Sequence, residues 1–346
     1  MKQCAAVRPR LSPTVCGIGW VVISLASTMV GYAANAEENS APLVLERTIP
    51  LEQVKGRIDH LAMDLKRNRL MVAELGNASV DVVDLTSGKP VHRFEGLQEP
   101  QGIAYLPDLD MIVVANGGDG SVDFFSGRDF SAKTVIPLGD DADNVRRDPR
   151  NGHVVVGHSA GMLATLDPAA GTTLSDVALP AHPEGFQLDP HSDRAYVNIP
   201  DARQIAIIDL AIGKQVGAWT FADLSENFPL AIDQNGDLLA TIFRSPPRLA
   251  LLESSRGTVT GSYPTCGDAD DVFFDSKRQR IYVSCGSGAV DVFNWHSTIA
   301  QHLARIPTRS GARTSLFSPE LDRLFVAARA GPLGSNAAIL VYRPYP

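Results

Sequence analysis

A strand-like segment recurs along the chain at a nearly constant interval, and this repeat constrains the fold more than any other feature. Its seven copies are RLMVAE (Arg69–Glu74), MIVVAN (Met111–Asn116), HVVVGH (His153–His158), RAYVNI (Arg194–Ile199), DLLATI (Asp237–Ile242), RIYVSC (Arg280–Cys285) and RLFVAA (Arg323–Ala328). Their starts are separated by 42, 42, 41, 43, 43 and 43 residues. A period of this length indicates a repeat architecture, in which each unit is one supersecondary motif packed against the next.

Each unit contains four strand-like pieces separated by turn residues. In the third unit they are Asn144–Pro149, the copy HVVVGH, Met162–Pro168 and Thr172–Pro180. No segment after residue 40 shows a sustained helical period. Four short strands every ~40–45 residues are typical of a propeller blade. The chain is therefore predicted to be an all-β, seven-bladed β-propeller with four antiparallel strands per blade.

The last unit lacks a fourth strand, because the sequence ends shortly after the third, AILVYRPYP. The segment Leu43–Leu51 precedes the first unit and has no partner within it. We expect this N-terminal strand to pair with the last blade and close the ring, since closure leaves no blade without a neighbour. The predicted organisation is a leader over residues 1–36 and a single propeller domain over residues 37–346.

The first 36 residues have the features of a Sec-type export signal. Three basic residues precede an apolar block, Ile18–Val30, and the small residues of Ala34–Ala36 fit a cleavage site. The block is shorter than the ~20 residues that a membrane span requires. We therefore expect a cleaved leader, no membrane span in the mature chain and a periplasmic or secreted location. An uncleaved anchor is the alternative.

Two of the four cysteines, Cys4 and Cys16, lie in the predicted leader. The remaining pair, Cys266 and Cys285, is predicted to form a disulfide, as expected for an even number of cysteines in an exported protein. A metal-binding or redox pair is the alternative, although the spacing is unlike C-x-x-C.

The repeated motif R-x-Y-V-x-N/S, with Asp-Pro or Asp-x five residues before the arginine, resembles the YVTN repeat of the YncE-like bacterial β-propellers. The copies at Arg194–Ile199 and Arg280–Cys285 are the closest, whereas DLLATI in the fifth unit lacks the aromatic residue. The likeness covers roughly residues 43–346. It implies the same fold and a binding or scaffold role, without specifying a ligand.

The innermost strand of each propeller blade lines the central channel, so the residues at which these strands start surround one mouth of it. Aligned by the repeat, the candidate site residues are Asp59, His60, Gln101, Asp143, Asn144, Glu184, Asp270, Asp271 and Arg313. The fifth unit has an extra residue and places Glu226 or Phe228 in this position. Hairpin turns over the same face carry polar residues that form either a recognition surface or ordinary tight turns. These residues are Glu74, Asn77, Asn116, Asp119, His158, Asp201, Arg244 and Arg329.

Converging carboxylates raise one another's pKa or recruit a cation. Their oxygen atoms suit a divalent cation such as Ca²⁺, for which the candidate ligands are Asp59, Asn144, Glu184 and Asp270. The alternative is that these residues only cap loop amides beside a hydrated channel. Arg313 is expected to pair with Asp270 or with Asp59.

Other function classes are poorly supported. The formal net charge of −8 and the absence of a basic cluster argue against nucleic acid as a partner. Gly157–Gly161 matches the G-x-S-x-G motif of serine hydrolases but is predicted to be a strand–turn–strand, not a strand–turn–helix. The sequence favours an exported, monomeric binding or scaffold protein that recognises a small ligand or an envelope protein. The alternative is a metal-dependent hydrolase of the lactonase type, in which a cation over the channel polarises a carbonyl.

Overall fold

The computed structural model describes residues 41–331 and 334–346, which form 28 β-strands and two short 3-10 turns, Leu75–Asn77 and Pro200–Ala202. The strands make seven separate four-stranded antiparallel sheets. The predicted leader and its two cysteines lie outside the described residues. Within them, no helix has the length and apolar character needed to cross a membrane.

Six sheets, here called blades 1 to 6, each consist of four consecutive strands that follow the first strand, β1 (Leu43–Pro50). Blade 1 contains β2 (Leu61–Asp64), β3 (Arg69–Glu74), β4 (Ser79–Asp84) and β5 (Lys89–Glu95), and blade 2 contains β6 (Pro100–Leu106), β7 (Met111–Asn116), β8 (Ser121–Ser126) and β9 (Ala132–Pro137). Blade 3 contains β10 (Val145–Arg147), β11 (Val154–His158), β12 (Met162–Asp167) and β13 (Thr172–Ala178), and blade 4 contains β14 (Phe186–Leu188), β15 (Arg194–Ile199), β16 (Gln204–Asp209) and β17 (Lys214–Thr220). Blade 5 contains β18 (Ser225–Ile232), β19 (Leu238–Ser245), β20 (Pro247–Glu253) and β21 (Val259–Pro264), and blade 6 contains β22 (Ala269–Asp275), β23 (Arg280–Cys285), β24 (Ala289–His296) and β25 (Ile299–Pro307).

Blade 7 combines both ends of the described chain. It contains β26 (Ser315–Ser318), β27 (Arg323–Ala328) and β28 (Ala338–Pro344), with β1 as its outermost strand. Strand β1 runs antiparallel to β28, from the pair Leu43 and Pro344 to the pair Pro50 and Ala338. The predicted all-β fold with seven four-stranded blades is confirmed.

The second strands follow the predicted repeat closely, and the fifth blade differs most. Strand β19 extends to Ser245, three residues beyond the DLLATI copy. Its partner β18 contains a bulge between Asn227 and Leu230, and the pairing continues to Ser225 opposite Ser245. A bulge inserts residues on one strand only, which explains the extra residue that interrupts the alignment of this unit.

The apolar core consists of seven clusters, each shared by two neighbouring blades. The cluster between blades 7 and 1, for example, includes Ile49, Leu70 and Phe325. The cluster between blades 6 and 7 includes Val292 and Leu324. Each fully buried aliphatic or aromatic side chain stabilises the fold by about 1.5–3 kcal/mol. The blades therefore stabilise one another, and the inner strands are held in fixed positions.

The predicted disulfide between Cys266 and Cys285 is confirmed, with a Cα–Cα distance of 5.9 Å. Cys285 ends β23 opposite Ala269, and Cys266 lies just before β22. Both cysteines are buried. The bridge therefore ties the loop that leads into the inner strand of blade 6 to the neighbouring strand.

Candidate functional site at the channel mouth

The inner strands begin with the same backbone pattern in several blades. In blade 1, Asp59 N donates to Ala73 O at 2.7 Å, and Ala73 N donates to His60 O at 3.0 Å. The same pair of bonds joins Asp143 and Asn144 to Gly157 in blade 3, and Glu184 and Gly185 to Asn198 in blade 4. These bonds satisfy the backbone groups of the mouth residues within each blade. Their side chains are therefore available for the channel.

A cavity of about 40 Å³ lies where these residues meet. Seven of the nine predicted residues line it, namely Asp59, His60, Asp143, Asn144, Glu184, Asp270 and Asp271, together with Arg57, Arg146, Gln187 and Phe228. Space of this size holds roughly three water-sized groups. A ligand that enters would insert only a few non-hydrogen atoms.

Two predicted residues lie beside this cavity. The Gln101 side chain donates from Nε2 to Asp141 Oδ1 at 3.1 Å. The Arg313 guanidinium lies 2.9 Å from Asp270 Oδ2, so the expected pairing is with Asp270 rather than Asp59. In the fifth blade, Phe228 lines the cavity and Glu226 is exposed.

One side of the mouth is occupied by ion pairs, and we call Arg244, Asp268, Asp270 and Arg313 the braced sector. Arg244 Nη2 donates to Asp270 Oδ1 at 2.5 Å, and Arg244 Nε donates to Ala269 O at 2.8 Å. Arg313 Nη1 donates to Asp268 Oδ1 at 2.9 Å. The Arg244 guanidinium also lies 3.6 Å from the ring centroid of Phe228. Asp270 is thus held between two arginines.

The other side, which we call the free sector, comprises Asp59, His60, Asp143, Asn144 and Glu184. Asp59 is 1% exposed and Asn144 is 3% exposed. Both carboxylate oxygens of Asp59, Oδ1 of Asp143 and Oδ1 of Asn144 accept no hydrogen bond from the described part of the chain. Arg57 approaches Asp59 Oδ2 at 2.6 Å without the alignment of a hydrogen bond. His60 Nε2 lies 3.8 Å from Asp59 Oδ1 and 3.9 Å from Asp143 Oδ1.

Burial makes several of these carboxyl groups hard to ionise. It raises the pKa of Asp143 to about 7, with a further contribution from the charge of Asp59. Burial and the charge of Asp270 raise the pKa of Glu184 to about 7. The pKa values of Asp59 and Asp271 are also raised, mainly by burial. An added positive charge in the mouth would favour the ionised form of each.

Arg146 lines the same cavity, and its role was not predicted from the sequence. Its Nη1 atom donates to Val145 O at 2.9 Å, and its guanidinium lies 5.5 Å from the ring centroid of Phe186. Burial lowers its pKa, against the opposing effect of the charges of Asp271 and Asp143. The sequence does contain the relevant signal, since Arg146 is two residues after Asn144 and alternate residues of a strand share a side.

The metal prediction remains untested. Over residues 41–331 and 334–346, no group of three or more His, Cys, Asp or Glu side chains is arranged to hold a metal ion. Of the four candidate ligands, Asp270 is already paired with Arg244 and Arg313. Asp59 has Arg57 at 2.6 Å from its Oδ2 atom. Among the described residues, Glu184 forms no ion pair and Asn144 Oδ1 accepts no hydrogen bond.

The G-x-S-x-G motif forms the predicted strand–turn–strand, because β11 ends at His158 and β12 begins at Met162. His158 Nδ1 lies 3.0 Å from Ser159 Oγ, and His158 Nε2 lies 3.0 Å from Asp176 Oδ1. Ser159 Oγ is also 3.1 Å from the carbonyl oxygen of Asp140. Acyl transfer needs donors for a developing oxyanion, whereas Asp140 O and the Asp176 carboxylate are acceptors. The motif is therefore not favoured as a nucleophile site.

Comparison with known proteins supports the fold class. No protein-family model matches the chain, and no curated protein matches it. A solved structure titled Kuenenia stuttgartiensis hydrazine synthase is similar, with a TM-score of 0.71, 16% sequence identity and coverage of 83% of this chain and 97% of that one. At this identity the likeness shows the fold alone. The protein is a seven-bladed β-propeller, and its resemblance to YncE-like proteins remains a prediction.

Proposed function

We propose that this chain is a binding propeller whose channel mouth holds the cationic group of a small ligand. The observation that carries the proposal is a set of buried oxygens on one cavity, from Asp59, Asp143 and Asn144, that accept no hydrogen bond from the described residues. Arg57 lies 2.6 Å from one of them, Asp59 Oδ2. A buried acceptor without a hydrogen bond costs about 1–3 kcal/mol. A group that donates several hydrogen bonds is therefore favoured at this position.

The chemistry of the two sectors favours a cation in the free sector. In the braced sector, Arg244 and Arg313 already neutralise Asp268 and Asp270, so this wall is charge-compensated. In the free sector, Glu184 forms neither an ion pair nor a side-chain hydrogen bond among the described residues, and the charges of Arg244 and Arg57 oppose the rise in its pKa. An ammonium group offers three donors, and Ca²⁺ or Mg²⁺ binds oxygen ligands of this kind.

The size of the cavity limits what enters it. About 40 Å³ accommodates an ammonium group or an ion with one or two waters, but not a drug-sized molecule, which needs a pocket of roughly 300 Å³ or more. The rest of a larger ligand or partner would lie over the mouth. This supports recognition of a protruding cationic group rather than enclosure of a whole substrate.

The proposed setting is outside the cytoplasm. The predicted leader and the Cys266–Cys285 bridge are compatible with an oxidising compartment. The resemblance to YVTN-repeat propellers supports a binding or scaffold role over catalysis. A lactonase-type hydrolase would also require a bound divalent cation at this mouth, so the same experiment includes those ions.

Thermal unfolding after EDTA treatment tests the proposal, with methylammonium, Ca²⁺ or Mg²⁺ added singly. A ligand at 100 times its Kd adds about 2.7 kcal/mol to folding stability and raises the midpoint. Asp59→Asn combined with Asp143→Asn should abolish the shift, because it removes both buried carboxylates. Asp223→Asn combined with Asp237→Asn is the matched control, since both aspartates are exposed. The proposal is wrong if no cation shifts the wild-type midpoint or if both double variants respond alike.

A further inference from the structure

We infer that the ligand is a small zwitterion, whose ammonium group binds the free sector and whose carboxylate binds Arg146. This inference rests on the proposed function for the cationic half of the ligand. The inference adds a binding group for the anionic half of the ligand. It thereby specifies the chemical class of the ligand as compounds such as α-amino acids, in which the two charges are separated by very few atoms.

Arg146 differs from the other three arginines of the mouth. Arg57, Arg244 and Arg313 each have a carboxylate oxygen within 2.9 Å. No described carboxylate forms an ion pair with Arg146, and its recorded hydrogen bond goes to the adjacent carbonyl of Val145. Four of its five N–H donors therefore remain open to another acceptor.

The surroundings of Arg146 do not supply that acceptor. Asp271 is the carboxylate with the strongest electrostatic effect on it, but Asp271 Oδ2 accepts a hydrogen bond from Ser315 N at 2.6 Å. The ring of Phe186 offers only a weak cation–π contact at 5.5 Å. The Arg146 guanidinium is half-buried and has no counter-ion among the described residues, and its planar array of donors matches a carboxylate. An anionic group bound here would therefore be stabilised by two hydrogen bonds.

Arg146 lies close to an acceptor group of the free sector. Asn144 and Arg146 are two residues apart at the start of β10, which corresponds to about 7 Å between their Cα atoms. Both line the cavity of about 40 Å³, which has room for roughly three water-sized groups. A ligand that reaches both sides of this cavity must therefore be small, with its two charged groups only a few atoms apart. The side group of such a ligand would point out of the mouth.

Calorimetric titration with glycine, methylammonium and acetate at pH 7.5 tests the inference. We expect glycine to bind the wild-type protein at least about tenfold more tightly than methylammonium, because one charge-assisted contact is added. Arg146→Gln should abolish this preference while leaving methylammonium binding in place, and Arg146→Lys should retain part of it. Affinity should also fall in the order glycine, β-alanine, 4-aminobutyrate as the two charges move apart.

The outcomes separate the inference from the proposed function. Equal binding of glycine and methylammonium by the wild type, or an unchanged preference in Arg146→Gln, overturns the zwitterion while the cation site stands. Failure of glycine, methylammonium, Ca²⁺ and Mg²⁺ alike to bind overturns both. Circular dichroism checks that the variants fold. If Arg146→Gln does not fold, the wild-type series of three amino acids decides, since equal affinities along that series refute the inference.

Discussion

Replacing Asp143 by asparagine should change how the stability of the propeller depends on pH. Burial and the neighbouring charge of Asp59 raise the pKa of Asp143 from 3.8 to about 7. Between these two values the folded protein keeps a proton that the unfolded chain has released. The free energy of unfolding therefore falls as pH rises from about 4 to about 7, by roughly 4 kcal/mol for this group alone.

Urea unfolding at intervals from pH 4.5 to pH 8.5, with EDTA and without added cations, measures this effect. Over this pH range, the fall in Asp143→Asn should be smaller by up to about 3 kcal/mol, because asparagine does not titrate. Some fall should remain, since the pKa values of Asp59, Glu184 and Asp271 are also raised. Asp237→Asn is the control. The reasoning would be refuted if the unfolding free energies of Asp143→Asn and the wild type differed by the same amount at every pH.

Three further perturbations test the remaining parts of the structure. Cys285→Ser should lower the unfolding free energy by about 3 kcal/mol, measured by urea unfolding, because it opens the loop closed by the bridge; peptide mapping that finds free thiols in the oxidised wild type would contradict the pairing. Arg244→Gln should cost about 2 kcal/mol in the same assay, since it leaves Asp270 with Arg313 alone; a neutral effect would show that the braced sector is not stabilising. Ser159 should resist labelling by a fluorophosphonate, as judged by mass spectrometry, because its hydroxyl donates to the carbonyl oxygen of Asp140 and the motif is a strand–turn–strand without a helix N-terminus beside it. Rapid labelling that is lost in His158→Ala would reverse that interpretation.

The fold could be predicted because the same strand pattern occurs seven times in the sequence. RIYVSC at Arg280–Cys285 forms a strand with the predicted bounds, as does RAYVNI at Arg194–Ile199. The degenerate copy in the fifth blade did not change the predicted number of blades. The inner strand of this blade has a bulge between Asn227 and Leu230. The sequence therefore left Glu226 and Phe228 as alternatives for the mouth position, because strand pairing, not residue type, decides which of them faces the channel.

The positions of the site residues could also be predicted, but their partners could not. Register within the repeat placed Asp59, Asp143 and Glu184 at equivalent points, and they line one cavity. The pairing of Asp270 with Arg244 joins residues 26 positions apart on neighbouring blades. Such contacts depend on side-chain rotamers and on distances across the ring, which one sequence does not contain. The predicted acidic mouth is consequently a mixed one, with arginines on part of its rim.

The distribution of partners around the mouth argues for a ligand rather than for simple capping. A carboxylate that caps a loop accepts hydrogen bonds from backbone N–H groups, as Asp271 does from Ser315. Asp59 and Asp143 instead have their own backbone N–H groups bonded to Ala73 and Gly157, while both Asp59 oxygens and Asp143 Oδ1 accept no hydrogen bond from the described residues. If the channel were purely structural, amides or apolar groups at these positions would make the fold more stable. A buried carboxyl oxygen without a hydrogen bond lowers the stability and adds no packing contact that an apolar group would lack. The free sector is therefore the part of this fold that structure alone does not account for.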